Sequence, residues 1–283
     1  MNSEKLKAFI QLLRPVNVAI VFLTIIVAAI VVGAQERHVL MVVLGALAGA
    51  IIGGGANAIN DYFDVEIDKV NRPSRPLPRG IVSPASAWWV WRISSSVGVL
   101  LSAYVGPVPL FIAVAWVVML YWYSKRWKRK VFIGNLTVGV ATALAFVYGG
   151  AIVGNLKDAY IPSGFAFLVN LARELVKDAE DVVGDQEGQA MTLAVKHGVS
   201  TALGVATVTI VALVLATLVP SYLGIYNSTY LVIIAVVDVL LVFVIVLMWR
   251  APRGSNLARS NLLLKVSMIL GLAAIYFGTE KVM

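Results

Sequence analysis

The sequence predicts an all-α integral membrane protein: nine transmembrane helices in one bundle with two pseudo-repeated halves. Three observations predict it. Of 283 residues, 60% are hydrophobic and only 13% charged, whereas an ordinary soluble domain is about half apolar and about a quarter charged. The apolar residues gather into runs of roughly 20, the length a helix needs to cross a bilayer. The basic residues, which give a net charge of +8, alternate between dense and sparse clusters from one gap to the next, as topology signals do. With a mean hydropathy of +0.87, these features exclude a soluble enzyme, a disordered chain and a nucleic-acid-binding domain.

The nine runs fall at 15–33, 39–60, 85–105, 107–124, 131–153, 160–177, 197–219, 228–249 and 260–279, within a single domain spanning 1–283. The first run follows Lys5, Lys7 and Arg14 and has the outline of a signal peptide. It is too long for one and shows no small-residue cleavage site, so it reads as a retained helix. Only Arg37, Lys157 and Lys281 fall on the side opposite the N-terminus. Every other Lys and Arg lies at the N-terminus or near the gaps after the second, fourth, sixth and eighth runs. That bias puts the N-terminus in the cytoplasm and, with nine spans, the C-terminus outside a multi-pass cell-membrane protein. There is no cysteine and there are two histidines. Disulfides, thiolate metal sites and cysteine nucleophiles are excluded, and histidines are too few to build a metal site.

Most of the 15 acidic residues lie in two short segments, Asp61–Asp68 and Glu174–Glu187. Both contain Asp-x2-Asp-x3-Asp, with Asn57 four residues ahead in one and Glu174 four residues ahead in the other. At about 100° per residue, 57, 61, 64 and 68 share one helical stripe, and so do 174, 178, 181 and 185. Glu66 and Glu180 point away from the stripes and read as solvated. An even number of spans separates the segments, so both emerge on the cytoplasmic side, as in a parallel internal repeat. Like charges on one stripe repel. They become favourable when divalent cations sit on them, and oxygen ligands with several waters suit Mg²⁺, which also binds substrate phosphates. The expected metal ligands are therefore Asn57, Asp61, Asp64 and Asp68 on one side, and Glu174, Asp178, Asp181 and Asp185 on the other. Gly53-Gly54-Gly55 and Gly149-Gly150 read as close helix packing rather than phosphate loops. Asp238, in the middle of the eighth run, is given no catalytic role.

These residues resemble the UbiA superfamily of intramembrane prenyltransferases. The first aspartate motif, 57–80, reads Asn60-Asp61-x-x-Asp64-x-x-x-Asp68 and continues Asn71-Arg72-Pro73-Ser74-Arg75-Pro76-Leu77-Pro78-Arg79-Gly80. The second, 173–188, carries Asp178, Asp181 and Asp185. The family's Tyr-x-x-x-Lys-Arg is similar to Tyr121-x-x-x-Lys125-Arg126, and its Arg-Pro to Arg14-Pro15. Within the superfamily, Ala172–Asp185 with Gly188 and Thr192-Leu193 resembles the archaeal branch acting on geranylgeranylglyceryl phosphate.

The resemblance implies a prenyl diphosphate donor whose diphosphate is bridged to the acids by two Mg²⁺ ions. It also implies a lipid acceptor with a phosphate head, an ether product, and a site facing the cytoplasm. Asp64, Asp68, Asp181 and Tyr121 are the expected catalytic residues, and Asn60, Arg72, Arg75, Lys125, Arg126 and Lys177 the donor contacts. Arg14 is the candidate for the acceptor's phosphate. Lys128, Arg129, Lys130, Arg250 and Arg253 read as topology signals alone. Membrane lipid is the surroundings; no nucleic acid and no obligate protein partner is implied. Two other readings stand beside this one. An aromatic acceptor would need no phosphate subsite. A cation-coupled transporter would place its site near the midplane on broken helices, whereas these acids sit at one membrane face beside a basic, proline-rich loop.

Overall fold

The computed structural model describes residues 3–252 and 254–279, without the side chain of Asn71. Arg253 and Lys281, both counted in the charge pattern, lie outside the described residues. Twelve α-helices follow in order: α1 Ser3–Leu13, α2 Pro15–Val31, α3 Val39–Asn71, α4 Pro84–Val105, α5 Pro107–Lys125, α6 Ile133–Val153, α7 Tyr160–Glu180, α8 Val182–Glu187, α9 Leu193–His197, α10 Val199–Tyr222, α11 Ser228–Arg250 and α12 Ser255–Gly278. Short 3₁₀ turns lie at 36–38, 127–129 and 157–159. Among the described residues there is no strand.

Local chemistry sets the helix ends. Ser83 caps α4 by accepting from the Ser86 amide at 3.1 Å, with Pro84 in the first turn. Asn227 caps α11 by accepting from the Thr229 and Tyr230 amides at 2.9 and 3.2 Å. Such caps satisfy amides that the first turn leaves without a partner. Pro15 starts α2 and disfavours helix at the residue before it. Arg14 leaves the helix in the left-handed region at φ 54, and α2 departs from α1 at 43°.

A long helix stands over each of the nine expected runs, but apolarity supports fewer crossings. Among the described residues, six helices are long and apolar enough to span a membrane, and α1 with α2 makes a seventh if the bent pair is one span. The two that fall short, α4 and α7, carry polar residues where a lipid-facing helix would carry aliphatics. In α7 these are Asn170, Arg173, Glu174, Lys177 and Asp178, which turn into the protein. On α11 the outward face is apolar: Val232, Val236, Val239 and Phe243 are all exposed.

The helices pack around two main apolar cores. One joins α2, α3, α5 and α6 through Ile25, Ile52, Ile112, Trp116 and Tyr148. The other joins α7, α10, α11 and α12 through Leu175, Leu203, Leu241 and Leu264. Gly149 lets α6 touch α2: a Cβ there would stand 2.6 Å from the Ala28 Cβ and 2.9 Å from the Ile25 carbonyl oxygen. Small residues permit this approach between membrane helices. Asp238 reaches across from α11 to the Thr217 hydroxyl of α10, 3.1 Å from each carboxylate oxygen.

Candidate active site

Helix α3 runs well past its apolar stretch, so Asn57, Asn60, Asp61, Asp64 and Asp68 ride on one continuous helix. Asp61, Asp64 and Asp68 are buried. A buried carboxylate is costly unless it is paired, and each meets a cation brought from another element. Arg14, at the α1–α2 break, pairs with Asp61 and reaches Asn57 Oδ1 at 3.4 Å. Asn57 in turn donates to the Leu13 carbonyl at 3.0 Å. Arg75, in the loop after α3, joins Asp61 at 3.1 Å to Asp68. Lys128, on the turn before α6, pairs with Asp64 and donates to Asn60 Oδ1 at 3.2 Å. Burial lowers the Lys128 pKa, and the Asp64 carboxylate opposes that shift. Arg129 beside it donates to the Phe63 carbonyl at 2.9 Å.

Gly134 makes room for that turn, because a Cβ there would sit 2.8 Å from the Lys128 Cα. Three non-glycine residues are left-handed among those described: Arg14, Phe132 and Gln189. Arg14 lines the cavity described below, Gln189 precedes the lining residue Ala190, and Phe132 lies two residues before the lining residue Gly134. Such conformations cost on the order of 1–3 kcal/mol each and persist where the surroundings over-determine them.

The second acid set lies on α7 and α8. Glu174 is buried and paired with Arg173. Asp178 accepts from the Asn135 amide of α6 at 2.8 Å. Asp181 ends α7 and begins α8, with Arg72 and Lys177 each at 3.5 Å. Burial pushes the Asp185 carboxyl up to about 6, against the pull of Lys177. Helix α8 folds back onto α3: a Cβ on Gly188 would lie 2.6 Å from Ile67.

The two sets share one cavity of about 520 Å³. Asn57, Asn60, Asp64 and Asp68 line it from α3, and Glu174, Asp178, Asp181 and Asp185 from α7 and α8. Arg14, Arg72, Arg75 and Lys177 reach the same space. Deeper in, the wall turns apolar, with Ile52, Trp116, Leu120, Phe146, Phe165 and Leu272. Asp61 does not line the cavity; it stands behind, between Arg14 and Arg75.

Besides Asp61, three more expected residues are elsewhere. Tyr121 stacks on Trp91 at 5.2 Å and meets the Phe63 ring at 5.8 Å, outside the cavity lining. Lys125 lies 5.4 Å and Arg126 5.7 Å above the Trp122 ring, also outside it. The reason is helical phase: Tyr123 and Ser124 occupy the inward face of α5. Conversely, Lys128 and Arg129, read from sequence as topology signals, line the cavity. Arg173, Asn135 and Lys265 line it as well, without having been singled out. Off the stripes, Glu66 is exposed and pairs with Lys69 at 2.8 Å, and Glu180 accepts from Asn261 at 3.0 Å.

Among the described residues no three His, Cys, Asp or Glu side chains converge as a ready-made metal cage. Mg²⁺ does not need one: it keeps several waters and takes one or two carboxylates plus substrate phosphate oxygens. The donors around the cavity are oxygens of Asp64, Asp68, Asp178, Asp181, Asp185 and Asn60. That all-oxygen set fits Mg²⁺.

The model of the UbiA prenyltransferase family matches residues 21–269. The digeranylgeranylglyceryl phosphate synthase of Methanopyrus kandleri is 38% identical over 270 residues, covering 95% of this chain and 98% of the relative. That of Methanothermobacter thermautotrophicus is 32% identical over 273 residues, covering 96% and 95%. A solved structure of digeranylgeranylglyceryl phosphate synthase in membranes superposes with a TM-score of 0.80 at 31% identity, covering 99% of each chain. A UbiA homolog from Archaeoglobus fulgidus, bound to GPP and Mg²⁺, shares the fold with a TM-score of 0.71 at 19% identity, covering 95% and 99%.

Proposed function

The chain belongs to the UbiA prenyltransferase family, and on that premise we propose the reaction of this multi-pass membrane enzyme. It transfers a geranylgeranyl group from geranylgeranyl diphosphate to the free hydroxyl of geranylgeranylglyceryl phosphate, with Mg²⁺ as cofactor. The observation that carries this reading is the single cavity whose charged end gathers both acid sets and whose deep wall is apolar. A lipid diphosphate has the same two parts.

Asp64 and Asp68 on one wall and Asp178, Asp181 and Asp185 on the other are the residues that would hold two Mg²⁺ ions. Bound there, Mg²⁺ would supply neutralisation of charge for a leaving diphosphate. Lys128, Arg72, Arg75 and Lys177 surround the same space and stabilise charge developing on the leaving oxygen, which is worth most where water is excluded. The allylic C1–O bond breaks with its electron pair going to diphosphate. A C–O bond forms from the acceptor hydroxyl, and its proton passes to a cavity carboxylate or to the departing diphosphate. The apolar wall keeps water from the electron-poor carbon. On this reading that end of the cavity faces the cytoplasm, which the bias of Lys and Arg supports.

The test is product analysis with purified enzyme, labelled geranylgeranyl diphosphate and Mg²⁺. Geranylgeranylglyceryl phosphate and an aromatic acceptor are offered in parallel. An ether product from the first alone is expected. Prenylation of the aromatic ring instead would replace this assignment, and cation flux in proteoliposomes without any prenyl product would remove it.

A further inference from the structure

Most cations around the cavity are already answered by a carboxylate: Arg14, Arg72, Arg75, Lys128, Arg173 and Lys177 all form ion pairs. Among the described residues that line it, two cations form none. Arg129 is committed to the Phe63 carbonyl. The other is Lys265 of α12, which is exposed to the cavity.

A lysine inside a spanning helix is costly and calls for a partner or a wet cavity. The carboxylates near Lys265 are Glu174 and Glu180, and the cations near it are Arg173 and Arg72. Glu174 is taken by Arg173, Glu180 accepts from Asn261, and Arg72 leans toward Asp181. Arg173 spends Nη1 alone on its partner. Arg14, by contrast, spends both terminal nitrogens, on Asn57 and Asp61. In the corner between α7 and α12, Lys265 thus lines the cavity with its nearby carboxylates already engaged.

We propose that Lys265, with Arg173, forms the subsite that holds the phosphate monoester of the acceptor and so selects a phosphorylated lipid alcohol. Lysine supplies a point charge and arginine a planar fork, the two devices that bind phosphate. The subsite lies on the α7–α12 wall, apart from the α3 aspartates. The proposal rests on the acceptor assigned above.

The experiment measures steady-state kinetics for the wild type, Lys265→Gln and Lys265→Arg. Each substrate is varied in turn, and geranylgeranylglycerol, which lacks the phosphate, serves as a second acceptor. Lys265→Gln should raise KM for the phosphorylated acceptor about ten- to a hundredfold, the worth of a charge-assisted hydrogen bond. Its KM for donor should stay within about twofold of the wild type. Lys265→Arg should recover most of the loss, and only the glutamine variant should lose the preference for the phosphorylated acceptor. An unchanged acceptor KM in Lys265→Gln, or an equal rise for both acceptors, overturns the subsite. Wild-type enzyme that makes no ether from geranylgeranylglyceryl phosphate overturns the function and the subsite together. Normal wild-type turnover with a normal glutamine variant overturns the subsite alone.

Discussion

On α3, Asp61, Asp64 and Asp68 each meet a cation brought from another element. On α7 and α8, Asp178, Asp181 and Asp185 stand at the same spacing and meet a different environment. They find a neutral amide at 2.8 Å and two cations no nearer than 3.5 Å. A buried charge whose partner is in contact has already recovered much of its desolvation cost, whereas one without such a partner has not. The α3 set is held in place by its ion pairs. The α7–α8 set keeps negative charge unspent, and an added divalent cation gains most there. Equal spacing in sequence therefore gives two halves of one site with unequal work.

The most severe way to break this comparison is to take the metal away. Chelation should abolish prenyl transfer while the thermal melt moves little, because the helices are held by packing rather than by the acids. Full activity without divalent metal would end the reading of both halves.

The halves are next tested against their own off-stripe neighbours. Asp64→Ala and Asp181→Ala should each lower kcat on the order of 10²–10³-fold, the range found when one electrostatic stabiliser is removed. Glu66→Ala and Glu180→Ala should stay within about threefold, as suits exposed charges. Similar losses in all four would show that bulk negative charge matters and stripe geometry does not.

A pH series sharpens the contrast further. In the folded protein Asp185 holds its proton up to about pH 6, above its ordinary 3.8. Its metal-binding form therefore prevails only above that value. As pH falls through 6, protons compete, and the Mg²⁺ concentration for half-maximal activity should rise by up to about tenfold per unit. In the metal-free protein the sign for stability is opposite to that of an ion-paired acid. Between 3.8 and about 6 the folded state binds the proton more tightly, so the contribution of Asp185 is lost as pH rises. A Mg²⁺ requirement flat from pH 7.5 to 5 would deny the second half its distinct character. The smallest effect belongs to Tyr121→Phe. The ring sits among Trp91, Phe63 and Trp122 outside the cavity, so kinetics should remain within about twofold of the wild type.

Apolar runs and acid spacing made much of this legible in the sequence. Each of the nine runs has its helix, because burial of a long apolar stretch leaves the backbone little choice. The closeness of Arg75 to Asp61 and Asp68 follows from a motif whose parts are close in the chain, whereas only packing brings Arg72 to Asp181. Helical phase at the end of α5 was not legible. Tyr121 and Tyr123 are two residues apart, so they face opposite ways, and nothing in the local sequence says which faces in. Lys128 was hidden for another reason. In Lys125-Arg126-Trp127-Lys128-Arg129-Lys130 every residue reads as a topology signal, and a 3₁₀ turn resting on Gly134 decides which one enters the cavity. Lys265 carried no motif, and only the packing of α12 beside α7 brings it to the cavity. Helix α7 falls short of the apolarity of a span because its charges line the cavity.

The break at Arg14 has a consequence for how the chain is made. Helix α1 and the left-handed residue that follows it leave the ribosome well before their anchors, since Asn57 and Asp61 lie 43 and 47 residues downstream of Arg14. Through that interval no partner restrains the break, and its conformational cost stands uncompensated. Leu12 and Ala8 wait in the same way for Ala58, Leu77 and Ala87, which form their pocket. Docking of α1 can therefore be completed only after Ala58, Leu77 and Ala87 have been made. Arg14, which lines the cavity, is thus synthesised early and seated late.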